Sequence, residues 1–97
     1  MIEHLVLLKF KPGTDRAAIE RLHAGLAGLR TLVPGVVDLT VGANFSTRNQ
    51  GYDTGLVVRF RDRAALDVYI KHPAHVEVVE ASVKPILASL IAVDYEF

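Results

Sequence analysis

Cysteine is missing from the chain, and with it go disulfides, thiolate nucleophiles and cysteine-ligated metal sites. Net charge is missing too. Eleven basic residues balance eleven acidic ones, so no broad field steers the molecule towards nucleic acid or an acidic membrane surface, and neither partner is expected. The N-terminal run Met1-Ile2-Glu3-His4-Leu5-Val6-Leu7-Leu8 has no basic leading segment and is too short for a signal-peptide core or a membrane span. A soluble, cytoplasmic protein is the expectation. No glycine-rich loop suggests a nucleotide, and no spacing of His and carboxylate residues suggests a transition-metal site. No linker, repeat or low-complexity stretch divides the 97 residues, which predicts one domain over residues 1–97.

Apolar residues are plentiful, at 51% of the chain. Chains of this size bury only about two-thirds of the surface that their unfolded forms expose, so this content exceeds what a lone core readily absorbs. A homo-oligomer is the natural outlet. Ile2 to Phe10 alternates in the manner of a strand that is apolar on both faces and ends at Pro12-Gly13, so something must cover each side. Thr14 or Asp15 can cap a helix whose Ile19, Leu22, Leu26, Leu29 and Val33 form one stripe, stopped by Pro34-Gly35. Residues 36–44 and 54–61 read as two more strands around a polar loop from Phe45 to Asp53. Asp62 can cap a short helix bearing Leu66, Tyr69 and Ile70. A further helix carries Val76, Val79 and Val83 up to Pro85, and Leu90 to Phe97 reads as the last strand. This order is that of an α+β, ferredoxin-like βαββαβ fold with a four-stranded antiparallel sheet. Its helices lie on one face, and apolar residues on the other predict that two copies pack sheet against sheet as a dimeric α/β barrel. Both parities of the first strand are apolar, which leaves its helix-facing parity open.

The segment from Tyr69 to His75 concentrates chemistry, with Tyr69, His72 and His75 set around Pro73. Proline lacks a backbone donor and turns the residue before it away from α geometry, so the helix carrying Tyr69 should stop near His72. A new helix can begin with Pro73 in its first turn. His75 then lies near a helix N-terminus, where the dipole disfavours imidazolium and leaves a neutral ring able to accept a proton. Tyr69 can meet it from the preceding helix. The plainer alternative makes His72 a helix cap and the other two half-buried surface residues. His4 shares the parity of Ile2, Val6 and Leu8, so it points into an apolar cavity or serves as a core histidine bonded to a carbonyl. His23 lies beside the apolar stripe of the first helix and reads as solvated.

His4 with Lys9-Phe10-Lys11, Gly42-x-Asn44-x-Ser46, Gly51-Tyr52, Phe60-x-Asp62-x-x-Ala65-Leu66-x-x-Tyr69, His72-Pro73-x-His75 and Asp94-Tyr95 together resemble the stress-responsive dimeric A/B barrel (Dabb) family over nearly the whole chain. A polyketide-cyclising member uses the tyrosine and second histidine of the Tyr-x-x-His-Pro-x-His segment as its catalytic pair, so the resemblance implies catalytic roles for Tyr69 and His75. It also implies substrate-binding positions at His4, His72 and Thr54. Thr54 stands where the cyclase has a further pocket histidine, and Leu26 stands where it has a tyrosine, which argues against the same long-chain polyketide substrate. Some members bind magnesium through main-chain carbonyls, which would here belong to Arg30, Val33 and Val36; otherwise no cofactor is required. Free carbonyls at a helix C-terminus can ligate a hard cation, and the alternative is a capped helix end.

Three functions fit this reading. The first is a cofactor-free cyclase or lyase performing aldol chemistry on a small molecule with Tyr69 and His75. Such a pair suits the task, because a neutral histidine can remove an acidic proton between two carbonyls while a phenol donates to the oxygen where enolate charge develops. The second is a non-catalytic, stress-related or ligand-binding homodimer. The third, a cofactor-free oxygenase, rests on fold analogy alone.

Overall fold

The computed structural model describes residues 1–97. Its elements run β1 (Ile2–Phe10), α1 (Arg16–Leu32), β2 (Val36–Ala43), β3 (Thr54–Phe60), α2 (Arg63–Lys71), α3 (Pro73–Val78), a π-helical turn (Val79–Val83) and β4 (Leu87–Glu96). The strands make one antiparallel sheet in the order β2-β3-β1-β4. This is the ferredoxin-like α+β arrangement expected from the element order.

Local chemistry explains the boundaries. Asp15 caps α1 by accepting from Ala18 N–H at 2.8 Å, and Asp62 caps α2 by accepting from Ala65 N–H at 2.9 Å. The final strand begins at Leu87, three residues before the expected start at Leu90. A register shift between Lys9 and Phe10 lets Phe10 pair with Leu87, an irregularity that alternation alone does not encode. The single helix expected to carry Val76, Val79 and Val83 is divided, because after Val78 the chain widens into the π turn.

The parity of β1 is settled by packing. Ile2, Val6, Leu8 and Phe10 face the helices, with Leu56, Val58 and Phe60 of β3, Leu39 of β2 and Leu22, Leu26 and Leu29 of α1 in the same buried core. His4 shares that parity. The odd residues of β1 face the other way, beside their β3 and β4 partners. Leu7, Val57, Ile91, Val93 and Tyr95 are exposed there.

Gly35 forms the turn from α1 into β2 with φ +91°, in the left-handed region, and a Cβ there would sit 3.3 Å from the Ala65 methyl of α2. An L side chain in that conformation costs about 1–2 kcal/mol. Gly35→Ala is therefore expected to lower unfolding stability by about that amount in a denaturant titration, and an unchanged midpoint would show that the turn has another conformation open to it.

Candidate functional site

The site is built where one helix is broken in two. In a continuous helix the Ile70 carbonyl would accept from Ala74 N–H four residues on. Pro73 prevents this continuation, and the freed groups find other partners. His72 Nδ1 accepts from Ala74 N–H at 3.1 Å, which caps α3. His72 N–H donates to the Tyr69 carbonyl at 3.2 Å. The orphaned Ile70 carbonyl lies 3.0 Å from His75 Nδ1. A carbonyl only accepts, so Nδ1 of His75 carries the proton and Nε2 keeps its lone pair. The turn between α2 and α3 thereby seats the His75 ring against that of Tyr69, with centroids 4.6 Å apart and planes tilted by 52°.

Both groups are electrostatically prepared. Burial lowers the His75 pKa from its ordinary 6.5, and the nearby His4 adds to that against the opposing bond to Ile70, so the ring is neutral at pH 7. The lowering expected from a helix dipole is thus traced to burial instead. Tyr69 has no exposed surface, and burial pushes its phenol up to about 12. It remains protonated at neutral pH and keeps a proton to donate. Its hydroxyl has no hydrogen-bond partner among the protein's own groups, a state that costs a buried polar group about 1–3 kcal/mol.

Tyr69 lines a half-open cavity of about 320 Å³ between the sheet, α1, α2, α3 and the π turn. Its polar members include His4, Tyr69 and His75, and Leu26 of α1 stands among its apolar ones. The volume is at the small end of ligand sites, which run from about 300 to 1,000 Å³. His4 is buried, its ring centroid is 6.1 Å from that of Tyr69, and its Nδ1 is hydrogen-bonded to Asp94 Oδ1. The partner is a carboxylate rather than the main-chain carbonyl expected of a core histidine.

The structure thus brings His4, Tyr69 and His75 together, and it places the other candidates elsewhere. His72 is turned to the backbone as a cap and does not line the cavity. Thr54 is buried, away from the cavity lining, with its Oγ1 2.7 Å from His23 Nε2. His23 is accordingly half-buried and bonded, which corrects its reading as solvated: one turn of α1 overhangs the start of β3, a contact spanning 31 residues that no local pattern displays. Asp94, known from the sequence only as part of a motif, emerges as the partner of His4 through the pairing of β1 with β4.

The magnesium reading rests on three main-chain carbonyls and gains no side-chain carboxylate from its surroundings. Arg30 lies in the last turn of α1, Val33 is its C-cap and Val36 opens β2. A magnesium ion asks for octahedral oxygen donors that usually include a carboxylate. Here the carbonyls are neutral, and the nearby Asp38 carboxylate is taken up by Arg30 at 3.2 Å. No group of three or more His, Cys, Asp or Glu residues converges anywhere in the chain.

Fold and cavity together define a ferredoxin-like domain with a small apolar pocket and a tyrosine and histidine pair within it. The chain belongs to the stress-responsive A/B barrel domain family, whose model matches residues 2–97. The stress-response A/B barrel domain-containing protein HS1 of Arabidopsis thaliana is 36% identical over 78 residues, covering 78% of this chain and 72% of that protein. The olivetolic acid cyclase of Cannabis sativa is 31% identical over 77 residues, covering 77% of this chain and 76% of the cyclase. Among solved structures, At3g17210 from Arabidopsis thaliana superposes with a TM-score of 0.88 at 31% identity, covering 100% of this chain and 95% of that one. A dimeric ferredoxin-like protein of unknown function from Jannaschia sp. CCS1 gives 0.76 at 30% identity, covering 99% and 98%.

Removing the unpartnered hydroxyl should relieve its burial cost. Tyr69→Phe is expected to leave thermal stability unchanged or raise it by about 1 kcal/mol, read as a higher Tm. A destabilisation of that size would mean that the hydroxyl is bonded in solution.

Proposed function

We propose that this chain is a cofactor-free homodimer of the stress-responsive A/B barrel kind that performs cyclase or lyase chemistry at carbonyl carbons. The observation that carries this reading is the Tyr69 hydroxyl, buried without a protein partner at the wall of an apolar pocket and beside a neutral histidine. His75 Nε2 takes a proton from carbon next to a carbonyl, and the electron pair moves onto the carbonyl oxygen. Tyr69 O–H donates to that oxygen as its charge grows, which gives the orphan hydroxyl its partner. The enolate carbon then attacks a second carbonyl of the same molecule, forming a carbon–carbon bond and an alkoxide that takes up a proton. His4 binds substrate beside Tyr69. His72 and Thr54 contribute from behind the cavity, the first by ending α2 and the second by holding His23. A relative that bears the name of a cyclase supports this assignment.

A second reading, a non-catalytic dimer that sequesters an apolar ligand, draws support from the lining itself. Ten of its fourteen residues are aliphatic, enough to retain a ligand without chemistry. N-Butylacetoacetamide in deuterium oxide separates the two, since proton NMR follows exchange of the hydrogens between its carbonyls. The wild type is expected to accelerate exchange and His75→Ala to abolish that acceleration; binding without exchange would select the sequestering dimer. Exchange should fall as pH drops through the His75 pKa, with its acid limb below 6.5. Stability supplied by the neutral ring is complete above pH 6.5 and declines as pH falls below it, because the unfolded chain binds that proton more readily.

The homodimer follows from the exposed outer face of the sheet, where Leu7, Val57, Ile91, Val93 and Tyr95 offer a partner an apolar surface. Sedimentation is expected to show a dimer that Val93→Glu converts to monomer. A monomeric wild type would overturn the barrel.

A further inference from the structure

We propose that His4 and Asp94 form a proton relay between the inner cavity and a solvent groove beside it. This rests on the carbonyl chemistry assigned to Tyr69 and His75. Two depressions meet at β4. The first is the apolar cavity, to which the His4 ring contributes. The second is an open groove of about 540 Å³ between α2 and the end of β4, lined by Arg63, Asp67, Asp94 and Glu96 among others. His4 lines only the cavity and Asp94 only the groove. The hydrogen bond from His4 Nδ1 to Asp94 Oδ1 crosses the wall between them.

The pair is held by main chain, since His4 and Asp94 are directly opposite in the antiparallel register of β1 and β4. The side chain of His4 is 10% exposed and that of Asp94 45%, a gradient from the interior to water. The carboxylate accepts, so it fixes the proton on Nδ1 and leaves Nε2, which has no partner, as an acceptor on the cavity side. Around the pair, α2 supplies Tyr69 to the cavity and Arg63 and Asp67 to the groove, α3 supplies His75, and β4 supplies Glu96, itself bonded to Arg63 at 3.2 Å. On that side α1 and β3 supply the apolar Leu26 and Leu56.

An aldol closure moves one proton off carbon and one onto the new alkoxide, and the relay matches both halves. In the outward half, the proton taken by His75 passes by way of water in the half-open cavity to His4 Nε2. The imidazolium passes its Nδ1 proton to Asp94, which releases it to groove water. In the inward half, Asp94 takes a proton from water and returns it to Nδ1, and Nε2 gives its proton to the alkoxide. The ring ends in its starting tautomer, and only N–H and O–H bonds have changed.

Deuterium exchange into N-butylacetoacetamide tests this when wild type, Asp94→Asn and His75→Ala are compared in weak buffer and with added imidazole. Asp94→Asn is expected to slow exchange about tenfold or more in weak buffer, with imidazole restoring it by carrying the proton that the relay no longer carries. Slowing that imidazole leaves untouched would make Asp94 a structural support, and no slowing would remove it from the reaction; either overturns the relay. If the wild type itself promotes no exchange, the carbonyl reading falls, and the pair is judged by the nitrogen-15 spectrum of the His4 ring. The Nδ1–H tautomer should dominate in the wild type and lose its dominance in Asp94→Asn, whereas an Nε2–H ring in the wild type overturns the pair.

Discussion

The break between α2 and α3 is the constraint on which the site depends. Tyr69 and His75 are six residues apart. On an unbroken helix, at about 100° per residue, they would point to widely separated faces. Pro73 denies the helix its next hydrogen bond, His72 caps the new start, and the two rings meet instead at 4.6 Å. The same break frees the Ile70 carbonyl, and that carbonyl selects the tautomer of His75. One proline thus fixes the position of His75 and which of its nitrogens is available, and both effects are local to α2 and α3.

The sheet and α1 contribute the environment. Phe60 packs against the Tyr69 ring at 5.1 Å, and β1 brings His4 to 6.1 Å from the same ring. An apolar surround raises the phenol and lowers the imidazole for one reason, since each is held in its neutral form where water is scarce. A buried hydroxyl without a partner contradicts the rule by which interiors are built, and such exceptions concentrate where a ligand is to complete the bonding. The molecule gives up stability at Tyr69 and keeps a donor that nothing else in the fold satisfies.

Much of this was legible in the sequence, for identifiable reasons. Asp15, Asp62 and Pro73 are helix signals that act within a few residues, and the element order follows from them together with alternation in β1 and β3. Tyr69 and His75 could be paired from sequence because their meeting depends on a local break. The start of β4 could not be placed, since it depends on a register shift between two strands remote in the chain. His23 and Asp94 escaped for a related reason: their partners, Thr54 and His4, lie 31 and 90 residues away. Periodicity shows which face a residue occupies, and it is silent on what waits there. His72 marks the reverse case, where a residue of suitable chemistry is consumed by the turn that it makes.

The two faces of β1 tie the remaining features together. Its even residues carry His4 and the core, and its odd residues lie on the outer sheet face with Val93 and Tyr95 of β4. Because β4 is an edge strand paired only with β1, the register that sets Asp94 opposite His4 depends on that single ladder. A partner sheet packed on the outer face would bury Val93 and Tyr95, which flank Asp94 in sequence, and would restrain the strand that carries the carboxylate. The proposed assembly and the proposed relay then draw on the same β1–β4 pairing. An apolar outer face is in this sense part of the site, although none of its side chains reaches the cavity.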